Sequence, residues 1–271
     1  MLSNPIVLLT LSTIIAAIPA AVWFSIFLFK SNNSKKAIFL VFMLGWLTAP
    51  ALLGIQYLWA IFPNFDLAAF IEGNISERNA MYFATFMLFG GMEEIIKLYV
   101  VRAVDVKTTY IKKVNDAIRF SIASALGFSF IENIYYLYQF WPAISTGELV
   151  GMYIFRSIFT TCAHIIFSGV FGYYYGIGKF SMVMAEHSKL TTGPSLSTRL
   201  ISKIFRLPLD ESYRQRVVVK GLIIAIVMHA IFNFLLQFNI IYPVIGFVVL
   251  GYLFMQYLLK RKAGHLILLQ D

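Results

Sequence analysis

The chain has 271 residues, of which 59% are hydrophobic and 13% are charged, and its mean hydropathy is +0.77. Soluble domains are only about half apolar, so this composition excludes an ordinary soluble protein and indicates a polytopic membrane protein. The formal net charge of +9 follows the membrane topology described below, and no nucleic-acid partner is expected.

Apolar runs of about 20 residues, the length that crosses a bilayer as a helix, predict seven transmembrane helices. In chain order they cover about residues 5–29, 37–62, 79–103, 117–140, 151–178, 218–238 and 241–259. The predicted fold class is therefore all-α, a polytopic membrane helix bundle within the lipid bilayer. The spans use most of the chain and no internal repeat is present, so a single domain over residues 1–271 is expected.

Basic residues fall on alternate connections between these spans. The stretches 30–36, 102–119, 179–220 and 260–262 hold 19 of the 22 Lys and Arg residues. The positive-inside rule then predicts that the N-terminus lies outside and the C-terminus in the cytoplasm. The longest basic connection, about 179–217, is predicted to be cytoplasmic; Ser195 either begins an amphipathic helix on the anionic inner leaflet or belongs to a solvated loop.

The third span contains two adjacent carboxylates and a lysine: Glu93, Glu94 and Lys97 in GGMEEIIKLYV. Three charges at mid-membrane cost about 8–10 kcal/mol, whereas the nine Leu, Ile, Phe and Val residues of this span return only about 3–5 kcal/mol. Lys97 follows the glutamates by four and three residues, so it can pair with both on one helix face. One ion pair needs a single glutamate, so the second points to acid/base chemistry.

Other spans supply polar side chains at matching depth. Glu132 and Asn133 lie in the fourth span, His164 in the fifth, and His229 and Asn233 in the sixth. At about 1.5 Å per residue, the glutamates and histidines fall near the middle of a hydrocarbon core about 30 Å thick. We therefore predict that they converge in one site, with Glu132 and Asn133 in supporting positions. For Arg156 in the fifth span two interpretations stay open: pairing with a glutamate, or reaching the outer interface.

Two hydrolytic mechanisms fit this set of residues. In one, Zn²⁺ is bound by His164, His229 and one or more glutamates, with Glu93 and Glu132 as the candidates, and lowers the pKa of a water to about 7, with another glutamate as general base. In the other, no metal is needed: Glu93 and His164 take a proton from water, while His229 and Asn233 donate hydrogen bonds to the oxyanion. Both would hydrolyse an amide within the membrane.

Four motifs carry a resemblance to a known family. EEIIK at 93–97, GFSFIEN at 127–133, the His164 segment running into SGVFGYYYG, and HAIFN at 229–233 resemble the successive motifs of the PrsW family of intramembrane proteases. That family is related to CAAX-prenyl endopeptidases and bacteriocin-processing proteins. The prenyl endopeptidases have EExxxR and FxxxH, where this chain has Leu98 and a spacing of one more residue between Phe159 and the histidine. These departures favour the PrsW branch.

The resemblance implies both a reaction and a set of site residues. Family members in bacteria cleave a membrane-anchored anti-sigma factor near the outer face, so it implies a membrane-anchored protein substrate, a catalytic core over about 79–238, and a multi-pass protein of a prokaryotic cell membrane. By this resemblance, Glu93 and Glu94 are the catalytic pair, and Lys97 completes their motif. His164 is the water-orienting or metal-binding histidine, and His229 with Asn233 forms the third element.

Two other functions keep Glu, His and Asn at mid-membrane. A proton- or cation-coupled transporter would use them for ion coupling, but the absence of a repeat and of paired Gly or Pro helix breaks speaks against it. A non-catalytic membrane binding partner could retain the same pocket without hydrolysis. The motif order favours the protease over both.

Overall fold

The computed structural model describes residues 4–29, 35–180, 193–237 and 241–267, so residues 181–192 of the predicted basic loop lie outside it. All regular structure in these ranges is helical, which confirms the all-α prediction. The α-helices are α1 (Pro5–Phe29), α2 (Lys35–Gly45), α3 (Thr48–Ile61), α4 (Leu67–Asn74), α5 (Arg78–Lys107), α6 (Val114–Phe140), α7 (Thr146–Phe155), α8 (Thr161–Lys179), α9 (Leu196–Phe205), α10 (Leu209–Gln237) and α11 (Ile241–Ile267).

Five stretches of the described helices are long and apolar enough to cross a bilayer: Pro5–Ile26, Lys35–Ile61, Thr146–Lys179, Leu209–Gln237 and Tyr242–Lys260. They match the first, second, fifth, sixth and seventh predicted spans. The third and fourth predicted spans coincide with α5 and α6, helices of 30 and 27 residues. Both helices are long enough to cross a bilayer. Because they also carry several charged and polar side chains, they are not among the five stretches, and the count of seven stays a prediction.

Helix α6 lies at the centre of the bundle, where it packs against α1, α2, α5 and α8. Its residues from Phe120 to Phe130 are all buried. A helix enclosed by protein on all sides contacts little lipid, so its polar side chains can be satisfied by neighbouring helices. This position allows α6 to carry polar side chains such as Glu132 and Asn133 inside the bundle.

Three predicted spans differ from the observed helices. The second is divided into α2 and α3 at residues 46–47, and Pro50 lies in the first turn of α3, where its missing N–H is not needed. The fifth is interrupted by a π-helical turn over Arg156–Thr160. The sixth begins at Leu209 rather than near 218, because the polar first turns of α10 precede its apolar part.

The basic loop contains a helix after Ser195, which is one of the two alternatives that the sequence leaves open. The Oγ atom of Ser195 accepts a hydrogen bond from the backbone N–H of Thr198 at 3.4 Å, which caps α9. The side chains of Leu200 and Ile204 are exposed, as is that of Lys203. An exposed apolar stripe beside basic residues is typical of a helix on a membrane surface, and that placement stays a prediction.

Small residues allow α8 to approach α6 closely. A Cβ atom on Gly172 would lie 2.7 Å from the Cα of Ile118, and one on Gly176 would lie 2.9 Å from the Cα of Val114. The glycines therefore bring the two backbones together, as small residues do between membrane helices. This contact also sets the distance between the polar side chains that α6 and α8 carry.

One end of the bundle is fixed by a polar cluster. Lys179 on α8 pairs with Asp105 on α5 and donates to the backbone oxygen of Ile111 at 3.0 Å. The hydroxyl of Tyr175 donates to Asp105 at 2.8 Å. The backbone near Arg214 lies beside Gly178 at the same end, so the basic connections 102–119 and 179–220 meet there.

We predict that Gly127→Ala lowers the thermal stability of the purified protein. The new Cβ atom would lie 2.0 Å from the backbone oxygen of Phe42 and 3.1 Å from the Cα of Gly45, so α2 and α6 must separate. Overpacking of this kind costs about 1–3 kcal/mol. Thermal unfolding in detergent measures the effect.

Gly54→Ala is the matched control, because a Cβ atom there meets no atom within 4 Å. Its stability should stay within about 1 kcal/mol of the parent protein. Equal melting temperatures for the Gly127 variant and the parent would contradict the close packing of α2 on α6.

Candidate active site

The two glutamates and the lysine of α5 form the ion pairs that their spacing predicts. The Nζ atom of Lys97 lies 2.8 Å from Oε1 of Glu94 and 3.8 Å from Oε2 of Glu93. Lys97 and Glu94 are both 2% exposed, and the ammonium also lies 4.0 Å from the centre of the Phe128 ring. The positive charge is thus surrounded by carboxylate and aromatic groups, which offset part of its desolvation cost.

His229 on α10 contacts the same carboxylates from the opposite side. Its Nδ1 atom lies 3.1 Å from Oε1 of Glu94, and its Nε2 atom lies 3.6 Å from Oε2 of Glu93. Gly90 makes this approach possible, because a Cβ atom there would lie 3.2 Å from Cγ of His229. An ionised carboxylate only accepts hydrogen bonds, so Glu94 holds His229 with its proton on Nδ1 and directs Nε2 towards Glu93.

His164 on α8 links α5 to α6. Its Nδ1 atom lies 3.2 Å from Nζ of Lys97, and its Nε2 atom lies 3.1 Å from Oε2 of Glu132. The rings of His164 and His229 stand nearly perpendicular with centroids 5.1 Å apart. The structure therefore places both histidines in one buried cluster with the α5 glutamates, as the depth argument predicts.

Arg156 pairs with a glutamate, which decides between the two interpretations that the sequence leaves open. Its Nη2 atom lies 2.8 Å from Oε2 of Glu132, and its Nε atom donates to Oδ1 of Asn133 at 3.2 Å. Asn133 therefore contacts Arg156, and its supporting role in the site stays a prediction.

Asn233 lies one helical turn beyond His229 and lines a cavity of about 540 Å³. Glu93, Glu132 and His164 line the same cavity, whereas Glu94 does not. The remaining walls are mostly apolar and aromatic, including Phe86 and Tyr135 on α5 and α6. Four of the predicted site residues, Glu93, Glu132, His164 and Asn233, thus face a pocket whose size and lining suit a small-molecule or peptide side chain.

The cavity lies towards one end of the bundle. Its α5 residues lie between Phe86 and Glu93, and its α6 residues lie between Phe128 and Tyr136, so most of them lie towards residues 78 and 140. The π-turn contributes Arg156, and α10 contributes residues from Asn233 to Gln237. These segments point away from the Lys179–Asp105 pair, so the cavity extends away from the end where the basic connections meet.

A group of three side chains could hold a metal ion. Glu93, His164 and His229 each offer one ligand atom, and these atoms lie within 4.8 Å of one another. Among the described residues Glu132 is not part of this group, and its Oε2 atom contacts Arg156 and His164 instead. Three of the four ligands that the sequence suggests are thus brought together.

The donor set fits a zinc ion with an open coordination position, which two histidines and one carboxylate commonly provide. Oε2 of Glu93 is buried and has no hydrogen-bond partner in the described part of the chain, and Nε2 of His229 points towards it. The ammonium of Lys97 lies close to the same point and would repel a metal cation, while His164 uses both nitrogens in contacts. His164 would have to release one contact to become a ligand.

The π-turn is the feature of the site that the sequence did not predict. It places Arg156 beside Glu132, and neither hydropathy nor residue spacing signals such a wide turn. The only signal for Arg156 was a charged residue inside an apolar run, which indicates a buried partner but not which one.

Comparisons with known proteins agree with this geometry. The family model described as PrsW family intramembrane metalloprotease matches residues 33–259. Protease PrsW of Shouchella clausii (strain KSM-K16) is 25% identical to the chain over 259 residues, which cover 93% of this chain and 97% of that protein. No solved structure matches the chain significantly. Because the family model covers most of the sequence, including all four motifs, the chain belongs to the PrsW family of intramembrane metalloproteases and is a membrane-embedded peptide-bond hydrolase.

Proposed function

We propose that this protein is an endopeptidase that hydrolyses a peptide bond of a membrane-anchored protein substrate inside the helix bundle, with Glu93, Glu94, His164, His229 and Asn233 as its catalytic set. The observation that carries the proposal is the convergence of Glu93, His164 and His229 within 4.8 Å beside the cavity. The family match favours this reaction over proton- or cation-coupled transport, which the same polar residues could serve.

The two adjacent glutamates have different roles in this proposal. Glu93 lines the cavity and its Oε2 atom has no hydrogen-bond partner in the described residues, so it is the carboxylate that meets the attacking water. Glu94 lies behind it, where its Oε1 atom contacts Lys97 and His229. Glu94 therefore orients His229 and holds the ammonium of Lys97 in place.

Asn233 and the cavity walls position the substrate. The amide NH₂ of Asn233 donates a hydrogen bond to the carbonyl oxygen under attack, where negative charge develops. The apolar and aromatic lining takes up the substrate side chain and excludes water other than the attacking one, which strengthens these polar contacts.

A divalent metal ion, most simply Zn²⁺, would be held by Glu93, His164 and His229. When bound there, it would supply Lewis acidity and lower the pKa of the attacking water. Without a metal, Glu93 accepts the proton of the water directly, and His229 needs a second proton on Nε2 to donate towards the oxyanion.

We predict that Glu93→Gln lowers the rate of substrate cleavage about 100-fold or more, because an amide cannot accept a proton or replace a carboxylate ligand. Cleavage of a single-pass membrane substrate by the purified protein in detergent measures the rate. Glu72→Gln removes an exposed glutamate on α4 and serves as the control with unchanged cleavage. A Glu93→Gln protein that is folded and fully active would contradict the proposed role.

For the metal, we predict about one zinc ion per chain in the active protein. His229→Ala should lose this ion, because the two protein ligands that remain would hold a metal poorly. Elemental analysis of purified protein gives the zinc content. Lys97→Met should bind zinc at least as tightly as the parent, because it removes the neighbouring positive charge. Undiminished cleavage by protein that contains no metal would rule out the zinc-dependent route and leave the direct role of Glu93.

We further propose that the chain crosses a prokaryotic cell membrane seven times with its N-terminus outside, and that cleavage occurs towards the outer face, as for an anti-sigma factor. Two observations support this topology. The basic connections meet at one end of the bundle, and the cavity extends towards the opposite end.

This topology predicts different labelling of two introduced cysteines. In a Cys162→Ser background, Glu72→Cys should react with a membrane-impermeant maleimide in intact cells, whereas Lys107→Cys should react only after lysis. Both positions are exposed, so access to the reagent depends on the side of the membrane. Labelling of position 107 in intact cells would contradict this orientation and indicate the opposite one.

A further inference from the structure

The π-turn over Arg156–Thr160 interrupts a helical segment that otherwise runs from Thr146 to Lys179. The backbone oxygen of Arg156 accepts a hydrogen bond from the hydroxyl of Thr161 at 3.1 Å, and the backbone oxygen of Ser157 accepts one from the indole N–H of Trp23 at 2.9 Å. Side chains thus satisfy carbonyl groups that a wide turn displaces. A supported π-turn is a stable feature of the fold, and such turns occur frequently at functional sites.

The wide turn changes which residues share a face. Arg156 and His164 are eight residues apart, which in a regular α-helix is not a whole number of turns. A π-turn takes up one extra residue, so the separation behaves as about seven residues, or about two turns. Arg156 and His164 can therefore both reach Glu132 on α6.

Arg156 is held by three contacts with α6. Its guanidinium pairs with Glu132 at 2.8 Å, donates to Asn133 at 3.2 Å, and lies 3.5 Å from the centre of the Tyr136 ring. The residue is 8% exposed. A planar guanidinium that is paired and stacked in this way has a fixed orientation, which an ammonium group could not reproduce.

We propose that Arg156 is a positioning residue that fixes Glu132 and, through it, the tautomer and orientation of the His164 ring; its effect on catalysis rests on the proposed protease function. Arg156 and Nε2 of His164 approach the same oxygen, Oε2 of Glu132. A carboxylate paired with a guanidinium is an acceptor only, so the proton in the second contact belongs to Nε2. Nδ1 of His164 is then left with its lone pair directed towards Lys97 and the site.

A purely structural ion pair would behave differently, and the chain offers one for comparison. Lys179 and Asp105 also join two helices through a partly buried pair, but at the other end of the bundle and without contact with the histidines. Lys179→Met is therefore the matched control: it should lower the melting temperature and leave kcat within about twofold of the parent.

The test compares Arg156→Met, Arg156→Lys, Glu132→Gln and the Arg156→Met/Glu132→Gln double variant. We expect kcat for a single-pass substrate to fall about 10- to 100-fold in Arg156→Met with KM within about threefold, and Arg156→Lys to retain more activity than Arg156→Met. Because Arg156 acts through Glu132, the double variant should be no slower than Glu132→Gln by more than about twofold.

A second measurement does not depend on proteolysis. ¹⁵N NMR of histidine-labelled protein reports the tautomer of each ring, and the His164 signal is assigned with His164→Ala. We expect the Nε2–H form in the parent and in Lys179→Met, and a changed signal in Arg156→Met. Arg156→Lys, which keeps a positive charge but not the planar guanidinium, gives the same test with Glu132 in place if Arg156→Met does not fold.

The outcomes separate the two proposals. An unchanged His164 signal in the Arg156 variants overturns the positioning role, and so does a kcat within twofold of the parent in folded Arg156→Met. Multiplicative losses in the double variant would show that Arg156 acts independently of Glu132 and also overturn it. A parent protein that shows the Nε2–H form, lost in Arg156→Met, but cleaves no substrate would refute the protease function and retain the effect of Arg156 on His164.

Discussion

Charged side chains within the hydrocarbon layer must be paired, because each isolated charge there costs several kcal/mol. In this protein the pairing groups form a continuous series of contacts that joins the π-turn to α6, α8, α5 and α10. The series runs through Arg156, Glu132, His164, Lys97, Glu94 and His229. Each member except the two at the ends contacts one neighbour on either side, so the removal of one side chain leaves another without its partner.

This requirement links the packing of the helices to the geometry of the site. The polar atoms meet at hydrogen-bond distances only because glycines allow the backbones to approach: Gly90 beside His229, Gly127 beside α2, and Gly172 beside α6. In lipid the hydrophobic effect does not favour helix association, so close contact and polar pairing contribute most of the specificity. The contacts of the candidate site are therefore also part of what holds α5, α6, α8 and α10 together.

The sequence predicted the parts of this arrangement that depend on composition and depth. Lys97 pairs with the glutamates as its local spacing requires, and both histidines lie at the depth of Glu93 because helical rise is regular. Two features could not be predicted: the π-turn, and the break between α2 and α3. Hydropathy depends only on side-chain polarity and does not report which backbone carbonyl pairs with which N–H. For the same reason the sequence suggested Glu132 as a metal ligand, whereas the π-turn brings Arg156 against it.

The balance of charge in the cluster explains why one oxygen stands apart from the others. With both histidines neutral and all carboxylates ionised, two cations face three anions, namely Arg156 and Lys97 against Glu93, Glu94 and Glu132. Glu132 and Glu94 each have a cation within 2.8 Å, so the unbalanced negative charge lies on Glu93. Glu93 borders the cavity, and its Oε2 atom lacks a hydrogen-bond partner in the described residues.

A low-dielectric site favours whatever neutralises that carboxylate, and the two hydrolytic routes are two ways of doing so. In one route, a proton taken from water neutralises the carboxylate of Glu93. In the other route, a bound cation balances its charge. Within this cluster of described residues, the unbalanced charge thus lies on the carboxylate of the α5 pair that borders the cavity. The adjacent Glu94, already paired with Lys97 and His229, keeps that charge from being cancelled by the surrounding side chains and leaves it available for the reaction.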